Sequence, residues 1–570
     1  MSRRARRRGR AGNADAALER AVEAVNAGDA ERGFELARGV LARTGRDDAA
    51  EVAGHAALRL APEAAVQALQ ALVDLRPDSP GLLNDQAGML CHLGRFDEAE
   101  AVYRRALEAD PDAPATLANL GQALLSLERP EDAEAAFRAA LAADPGHAAA
   151  LNGLGGALEK LERPAEAADA YRRAVEREPQ SDIFRHNLIL ALRQAGTGFE
   201  ERERLLRARL ANHPGDVESL NYLTNVLTSL GKFAEARKTI ARMQALDLNT
   251  SEAAHARLLG AELDFLEGDW ERGWSEYAAR RGKTQHQDRY QDLPEWQGGP
   301  LDGMRLLVWK EQGVGDEIMF SRFLPLLVDT GARVRLETDA RLVPLFARSF
   351  PDIEVVALDD PGAADGVDLQ VAIGGLGRRL WPTFRDAGAA NVGAPLRADP
   401  ERARARRAAY TRGAAAKVVG VSWHSANAAG GPDKSMPVTG LAPVLARPDT
   451  VFVDLQYGDT EAARAEAEAQ LGVKILHDDS FDQMDDLDGF AAQIAALDAV
   501  VSISNTAVHM AGGLGVPTAV LLPPVPMWRW GLAGADTVWY PSVRLFRQAR
   551  LGAWAAPVGE AAAWLDGILA

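Results

Sequence analysis

The chain has 570 residues, of which 47% are hydrophobic and 25% are charged, as is usual for a globular protein. This length exceeds what one hydrophobic core supports, so we expect several domains. The formal net charge of -17 argues against nucleic acid as a partner, because binding phosphate requires clustered lysine and arginine. The single cysteine, Cys91, excludes an intramolecular disulfide and a cysteine-based metal cluster.

The first segment is a basic run, MSRRARRRGR. We predict a disordered, solvated tail over residues 1–12, with RNA binding, membrane binding or a targeting role as the alternatives. The apolar segment of a secretory signal does not follow it, and no run of about 18 apolar residues could span a bilayer. The sequence therefore predicts a cytoplasmic protein without a membrane span.

A repeat of 34 residues fills the first half of the chain and is marked by regularly spaced prolines: Pro77, Pro111, Pro145 and Pro179. Small alanines and one aromatic recur within the repeats: Ala99, Ala133 and Ala167, then Tyr103, Phe137 and Tyr171. This pattern predicts helix pairs in which the alanines permit close approach, the aromatic fills the gap to the next repeat and the proline ends the second helix. The blocks NLGQALLSLERPEDAEAAFRAALAADP and GLGGALEKLERPAEAADAYRRAVEREP resemble the tetratricopeptide repeat family. We therefore expect an α-solenoid over residues 13–290.

The first helix of each pair builds the inner face of such a solenoid. Four asparagines lie on or next to these helices: Asn119, Asn152, Asn187 and Asn221. Their amides can bond a peptide backbone without reading its sequence. The alternative is that they are exposed polar positions without a ligand. We predict a protein-binding surface and leave its ligand unspecified.

The periodicity changes after PEWQGGP, and we interpret residues 291–301 as a linker. Short apolar runs then alternate with helical segments, from MRLLVWK to VDLQVAI and again from AKVVGVSWHS to PTAVLLPP. Such β-α-β series predict parallel sheets covered by helices. We place one Rossmann-like lobe at residues 302–405 and a second at 415–570, with a cleft between them.

The segment KEQGVGDEIMF joins a predicted strand to a predicted helix. Gly313 and Gly315 bring bare backbone to the carboxyl edge of the sheet, where ligands bind in open α/β folds, and Asp316 opens the helix. The segment lacks the glycine spacing of a dinucleotide fold and the Lys-Ser/Thr of a P-loop. The alternative is that Asp316 only caps its helix.

Two further segments, SISNTAVHMAGG and NAAGGPDKSMP, predict the opposite side of the cleft. Ser504, Asn505 and Thr506 stand at a helix start whose free N–H groups suit a phosphate. His509 lies in the first turn, from which it could donate to a phosphate or ribose oxygen. Lys434 could neutralise a phosphate as it leaves. A structural histidine and a solvated lysine are the alternatives.

A last group of residues lies near the C-terminus. Four aromatics could stack on a base or sugar ring, or could be packed by the C-terminal helix, and we favour packing for two of them: Trp528, Trp530, Trp539 and Tyr540. Three arginines could contact a carboxylate or phosphate, or pair with acidic residues: Arg529, Arg544 and Arg547.

These motifs, with DLQYGDT and WYPSVRLFRQ, make residues 265–555 resemble the bacterial tetratricopeptide-repeat glycosyltransferases, especially the flagellin glycosyltransferases. Gly315-Asp316, Lys434 with Pro437, and His509 also resemble, more distantly, motifs of the heptosyltransferases. The resemblance implies a GT-B fold, which consists of two Rossmann-like lobes. It further implies that the repeats hold flagellin while a nonulosonic acid such as pseudaminic acid is transferred to it.

By this resemblance, Asp316 is the general base, and Lys434 with the helix start stabilises the departing phosphate. The resemblance implies no cofactor and no obligatory metal, with a nucleotide-sugar donor as co-substrate. Ser504, Thr506 and His424 depart from the related patterns. These departures leave the choice of donor open. We favour a cytidine-monophosphate sugar and keep uridine- and adenosine-diphosphate sugars as alternatives. The alternative functions are transfer of N-acetylglucosamine to protein and a repeat scaffold without catalysis.

Overall fold

The structure, a computed structural model, describes residues 3–283, 289–388, 393–425 and 434–570. It forms two compact units, Met1–Thr197 and Gly198–Ala570. The first unit is built from helices, whereas the second begins with helices and continues with two parallel sheets. The predicted fold class, an α-solenoid followed by α/β lobes, is confirmed.

The helices of the first unit pack against their neighbours in the chain. They are α1 (Arg3–Asn26), α2 (Ala30–Thr44), α3 (Asp47–Ala57), α4 (Pro62–Leu75), α5 (Pro80–His92), α6 (Phe96–Ala109), α7 (Pro114–Ser126), α8 (Pro130–Ala143), α9 (Ala148–Lys160), α10 (Pro164–Arg177) and α11 (Asp182–Gln194). The backbone is helical from Arg3, which differs from the disordered tail expected over residues 1–12. Alanine and arginine are strong helix formers, and this accounts for the difference. Residues 1–2 lie outside the described residues.

Phe137 shows how the repeats interlock, and it confirms the predicted roles of the alanines and the aromatic. The ring is 1% exposed, and Ala133 and Ala140 beside it are fully buried. A Cβ atom on Gly121 would lie 2.8 Å from this ring, and one on Gly153 of the next repeat would lie 2.3 Å from it. Only glycine fits at these two positions, because real side chains do not approach so closely.

The second unit opens with further helices of the repeat type: α12 (Phe199–Asn212), α13 (Val217–Ser229), α14 (Phe233–Gln244), α15 (Thr250–Leu266) and α16 (Trp270–Tyr277). The helices that follow are α17 (Val314–Phe320), α18 (Leu324–Val328), α19 (Val343–Ser349), α20 (Leu376–Ala387), α21 (Pro400–Thr411), α22 (Ala442–Leu445), α23 (Glu461–Leu471), α24 (Leu487–Ala495), α25 (Thr506–Leu514) and α26 (Ala555–Leu569). Short 3-10 turns lie at Ala278–Lys283, Ser321–Phe323, Ala340–Leu342, Ile373–Gly375, Val438–Leu441 and Trp528–Trp530. None of the helices in the described ranges is both long enough and apolar enough to cross a bilayer.

Each lobe contains one parallel sheet. The first sheet has the order β3-β2-β1-β4 and consists of β1 (Arg305–Trp309), β2 (Arg333–Thr338), β3 (Glu354–Ala357) and β4 (Leu369–Ala372). The second has the order β10-β9-β8-β5-β6-β7 and consists of β5 (Lys417–Ser422), β6 (Thr450–Asp454), β7 (Ile475–Leu476), β8 (Ala499–Ile503), β9 (Thr518–Leu522) and β10 (Val543–Arg547). Both are Rossmann-type orders, which reverse between β1 and β4 and between β5 and β8. Ligands of open α/β folds bind at the carboxyl ends of the strands beside such a reversal.

The segment interpreted as a linker, residues 291–301, instead docks on the first sheet. Trp296 N donates to Gln370 O at 2.9 Å, and Gln370 N donates to Pro294 O at 3.0 Å. The Trp296 side chain is 4% exposed. The buried tryptophan and these backbone bonds make the segment part of the first lobe.

Helix α21 spans the predicted end of the first lobe at residue 405 but packs on the second lobe. Arg407 Nη1 lies 2.7 Å from Asp498 Oδ2, just before β8. Tyr410 OH donates to Asp478 Oδ2 at 2.6 Å. A domain boundary that is predicted from local composition does not take such long-range pairs into account.

An aromatic core joins the last repeat to both lobes. Phe265 of α15 stacks on Trp528 with ring centroids 4.5 Å apart, and Trp270 of α16 stacks on Trp381 of α20 at the same separation. Trp539 lies 6.0 Å from Trp270. Trp528 and Trp539 are therefore packed by the last repeat, whereas α26, the element expected to pack them, contacts the second sheet.

Candidate functional site

The reversal point of the second sheet carries a pair of linked polar side chains. Ser422 ends β5, and Asn505 follows the neighbouring strand β8. The Asn505 amide donates to Ser422 Oγ at 2.7 Å, and its oxygen accepts from Ala507 N at 3.1 Å as the N-cap of α25. The start of α25 is therefore fixed against the central strand of this lobe.

The reversal point of the first sheet carries residues 311–316, which we call the glycine turn. Gly313 is the N-cap of α17, and Asp316 occupies the third position of that helix. The structure differs from the alternative in which Asp316 caps the helix, because the cap residue is Gly313. The Asp316 carboxylate instead accepts a hydrogen bond from outside the lobe.

A buried ion-pair network ties the two ends of this turn together. Lys310 Nζ, directly after β1, lies 3.0 Å from Glu317 Oε1 and 2.8 Å from Asp339 Oδ2. Glu317 is fully buried, and burial raises the pKa of its carboxyl while the Lys310 charge opposes the shift. Lys310 and Glu317 flank the turn, so their contact holds its closed shape.

The middle of the turn is held by the last repeat. Glu311 Oε1 accepts from Arg280 Nε at 2.9 Å, and both side chains are buried. Gln312 Nε2 donates to Tyr277 OH at 2.9 Å. The end of α16 and the 3-10 turn after it therefore position the segment that carries Asp316.

Arg529 of the second lobe reaches the first lobe and pairs with Asp316. Its Nη2 donates to Asp316 Oδ1 at 2.7 Å, and the two side chains are 11% and 22% exposed. Gly315 lies at the same contact, since a Cβ atom there would lie 3.4 Å from His509 Cδ2 and 3.6 Å from Thr506 Oγ1. The structure thus brings the glycine turn and the start of α25 together.

His509 is buried and neutral. Burial, and then the positive charges of Arg529 and Lys434, hold the pKa of its imidazole well below the usual value. Arg529 Nη1 lies 3.4 Å from Nε2, and Tyr540 OH lies 3.1 Å from Nδ1. A guanidinium can only donate, so Nε2 accepts and Nδ1 carries the proton. Both ring nitrogens already have protein partners, which differs from the expected donation to a ligand.

Lys434 begins the described chain after residues 426–433 of the glycine-rich loop, which lie outside the described residues. The base of this loop is closed by Ser425 N, which donates to Ser435 Oγ at 2.9 Å. Lys434 is half-buried, and burial followed by the Arg529 charge lowers its pKa to about 8. The ammonium is therefore within electrostatic reach of Arg529 and His509.

The three residues at the start of α25 differ in their surroundings. Ser504 Oγ accepts from Trp530 Nε1 at 2.8 Å and is buried. Asn505 is also buried and is engaged by Ser422. Thr506 is half-buried, so it is the member of this trio that remains open to a ligand.

Of the four aromatics singled out near the C-terminus, Trp530 and Tyr540 contact His509. The Trp530 ring stacks on the imidazole with centroids 5.4 Å apart and an interplanar angle of 15°. Arg544 pairs on the surface with Asp536 at 2.9 Å. Of the three arginines near the C-terminus, Arg529 contacts both Asp316 and His509.

Glu262 of α15 faces the 3-10 turn Trp528–Trp530, which carries Arg529. It lies three residues before Phe265, and residues at this spacing share one side of a helix. The Phe265 ring stacks on Trp528, next to Arg529. Burial raises the pKa of Glu262 to about 7, and the Arg529 charge opposes the shift. The repeats therefore contribute a second carboxyl to the surroundings of Arg529.

The predicted acceptor-binding asparagines bond to counterparts on neighbouring first helices. The pairs are Asn119 Nδ2 with Asn84 Oδ1 at 3.1 Å and Asn187 Nδ2 with Asn152 Oδ1 at 2.8 Å in the first unit, and Asn221 Oδ1 with His255 Nε2 at 2.7 Å in the second. Side chains that bond across repeats lie on one face of their unit. Each unit therefore carries a polar ladder of the kind that a peptide backbone could join.

Sequence reasoning missed Glu262, Tyr277 and Arg280, and left the role of Arg529 open. Arg529 and Asp316 are 213 positions apart, and Arg280 and Glu311 are 31 apart. No local motif marks such pairs. Among the described residues, no group of three or more His, Cys, Asp or Glu is arranged to hold a metal ion.

Comparison with known proteins agrees with this architecture in its repeat region. Tetratricopeptide repeat models match residues 78–145 and 119–182. Among solved structures, YrrB, described as a TPR protein with an unusual peptide-binding site, is 22% identical and covers 34% of this chain and 98% of its own, with a TM-score of 0.31. PilF of Pseudomonas aeruginosa is 22% identical and covers 36% of this chain and 92% of its own, with a TM-score of 0.29.

The fold and the repeats define a tetratricopeptide-repeat protein with a two-lobed α/β region, and such repeats imply a protein partner. The chain is 31% identical over 431 residues to protein FlbA of Caulobacter vibrioides (strain ATCC 19089 / CIP 103742 / CB 15), a match that covers 66% of this chain and 71% of FlbA. The chain belongs to the family of protein FlbA.

Proposed function

We propose that this protein is a glycosyltransferase that moves a sugar from a nucleotide-sugar donor to a side-chain hydroxyl of a protein held by the repeats. The observation that carries the proposal is the meeting of the two reversal points. There Asp316 of the first lobe lies beside Arg529, His509 and the start of α25 of the second. A carboxylate opposite fixed positive groups suits displacement of a phosphate by a hydroxyl.

In this mechanism the acceptor hydroxyl oxygen forms a bond to the anomeric carbon while the bond from that carbon to the donor phosphate breaks. The hydroxyl proton passes to the Asp316 carboxylate, and the departing phosphate keeps the electron pair. Lys434 and Arg529 stabilise the phosphate charge. The ties of Lys310 and Gln312 hold the Asp316 turn in place before the donor arrives.

The substrates follow from the resemblance to the flagellin glycosyltransferases. The acceptor is flagellin, modified in the cytoplasm before export, and the sugar is a nonulosonic acid such as pseudaminic acid. Its donor is a cytidine-monophosphate sugar. The asparagine ladders support the acceptor half of this proposal, because they offer amides at regular spacing to an extended chain.

The test is transfer of label to purified flagellin from cytidine-monophosphate pseudaminic acid, with uridine-diphosphate N-acetylglucosamine as a parallel donor. We expect label from the first donor, and a fall in transfer of about 100-fold or more for Asp316→Asn, the usual contribution of a general base. Asp329→Asn, an exposed carboxylate of the same lobe, is the matched control and should transfer normally.

If label is transferred from the second donor alone, the transferred sugar is N-acetylglucosamine and the proposed nonulosonic acid is wrong. Absence of both transfer and donor hydrolysis would refute the enzyme and leave a repeat scaffold.

A further inference from the structure

The Arg529 side chain has three polar atoms with different surroundings. Nη2 donates to Asp316 Oδ1 at 2.7 Å, and Nη1 lies 3.4 Å from His509 Nε2. Nε is buried and has no hydrogen-bond partner among the residues that the structure describes. A guanidinium offers five N–H donors in a planar fork, which suits a two-pronged anion better than a single carboxylate oxygen. Arg529 is therefore incompletely satisfied as it stands.

The surroundings of Arg529 hold more positive charge than its partner Asp316 can neutralise. Lys434 is close enough for the Arg529 charge to lower its pKa, and both cations keep His509 neutral. Glu262 is a second carboxyl near Arg529, and burial favours its protonated form. One bound anion would balance this group of charges.

We propose that Arg529 is the anion-binding residue of the donor site and that it exchanges partners. It holds the Asp316 carboxylate in the free protein, and the phosphate or carboxylate of the donor takes its place. This rests on the proposed function. The exchange leaves Asp316 without its cation only when a donor is present, so the base becomes available to the acceptor hydroxyl after the donor has bound.

The position of the pair supports this exchange. Both side chains are partly exposed, at 11% for Arg529 and 22% for Asp316, so an incoming anion can reach the contact. The Arg529 backbone is anchored independently, because Trp539 Nε1 donates to Arg529 O at 3.0 Å. The guanidinium can therefore change partner without movement of the turn that carries it.

Competition between Asp316 and the ligand for one guanidinium makes an uncommon prediction about binding. Loss of the Asp316 charge should strengthen anion binding, although Asp316 belongs to the site. The probes are inorganic phosphate and cytidine monophosphate, and binding is measured by isothermal titration calorimetry on the full chain. We expect Asp316→Asn to bind both probes about fivefold more tightly than the unmodified protein, and Arg529→Gln to bind them about tenfold more weakly.

The double variant separates exchange from a general change of charge. In the Arg529→Gln background, Asp316→Asn should bring no gain, because the shared partner is gone. Arg544→Gln, which removes an exposed arginine of the same lobe paired with Asp536, should leave binding unchanged. The stability of each variant is checked by tryptophan fluorescence during urea unfolding.

Three results would overturn the proposal: unchanged or weaker binding by Asp316→Asn, a gain that persists without Arg529, or saturable binding by neither the unmodified protein nor Asp316→Asn. None of these readouts requires sugar transfer. Anion exchange without transfer would refute the proposed enzyme and keep the anion site, whereas transfer without exchange would do the reverse.

Discussion

A few charged residues that lie close together determine which side chains of the site are protonated and which ligands it favours. Asp316 pairs with Arg529 at 2.7 Å, and the pKa of Lys434 is lowered to about 8 by burial and by Arg529. His509 stays neutral beside these cations. A ligand that brings negative charge is therefore favoured over a neutral one.

Glu262 gives a prediction about stability. Its folded pKa of about 7 lies above the ordinary glutamate value, so the folded state favours the protonated form. Glu262 therefore contributes its full share to the free energy of unfolding at a pH below the ordinary glutamate pKa. This contribution is lost as the pH rises through 7. Glu262→Gln should therefore be more stable than the unmodified protein at pH 8, by roughly 3 kcal/mol, and equal to it at pH 4.

Urea unfolding of the second unit followed by tryptophan fluorescence measures this effect, because all 11 tryptophans lie at or after residue 270. Glu276→Gln, an exposed position on the neighbouring helix, is the control and should show the pH dependence of the unmodified protein. If the unfolding free energy of Glu262→Gln equals that of the unmodified protein at every pH from 4 to 8, the raised pKa of Glu262 is wrong.

The sequence predicts which local segments carry Asp316, Lys434 and His509, because each follows a strand and contains glycine or a helix start. It does not predict the partner of Asp316. Arg529 follows Trp528 in a short 3-10 turn, and its guanidinium could equally have paired with any of 81 acidic residues. Pairing of distant charges is decided by the packing of whole elements, which no local pattern records.

Helix α16 gives a prediction at the level of elements. Tyr277, its last residue, accepts a hydrogen bond from Gln312 at 2.9 Å and so supports the turn that carries Asp316. Tyr277→Phe keeps the ring but removes this bond. We expect the turnover number for donor hydrolysis to fall about fivefold, while the KM for the donor stays constant, because one hydrogen bond contributes about 1 kcal/mol.

Tyr171→Phe provides the control for this experiment. Its hydroxyl donates to Glu159 at 2.9 Å within the first unit, far along the sequence from the Asp316 turn. It should leave hydrolysis unchanged. Equal losses in the two variants, or an unchanged turnover number in Tyr277→Phe, would show that the last repeat does not position the turn.

Elements with a strong local pattern are those that the sequence predicts well. Strands β1 to β9 fall within apolar runs recognised in the sequence. Strand β10 lies outside these runs, because Val543–Arg547 follows a segment rich in proline, glycine and tryptophan that has no strand pattern. Residues 291–301 mislead for a similar reason, since their glycines and prolines suggest a linker while Trp296 is buried against the first sheet.

In the proposed function, the residues that bind the acceptor protein differ from the residues that carry out the chemistry. Asn152 and Asn187 bond each other across two repeats of the first unit, at 2.8 Å, whereas the residues of the candidate site belong to the second unit. Replacing both with alanine should raise the KM for flagellin about fivefold or more, because their amides no longer bond the acceptor backbone. Donor hydrolysis should not change.

Asn212→Ala, an exposed position at the end of α12, is the matched control and should affect neither reaction. Kinetics with flagellin varied at a fixed donor concentration provide the measurement. A double variant with the flagellin KM of the unmodified protein would exclude this ladder from acceptor binding.

The division of the chain is the level at which the sequence predicts least. The 34-residue spacing identifies the repeats, but the repeats do not all lie in one unit, since α12–α16 belong to the compact unit that holds both sheets. The aromatic core around Trp274 and Trp528 explains this, with ring centroids 6.1 Å apart. A boundary drawn where the periodicity changes cannot register side chains that pack across it.

The activity proposed for this protein is attachment of a sugar to another protein. Its most direct test is the intact mass of flagellin from cells that lack the chain, compared with cells that produce either the unmodified protein or the Asp316→Asn variant. We expect flagellin with the mass of added nonulosonic acid only where the unmodified protein is present. Flagellin of identical mass in all three strains would contradict it.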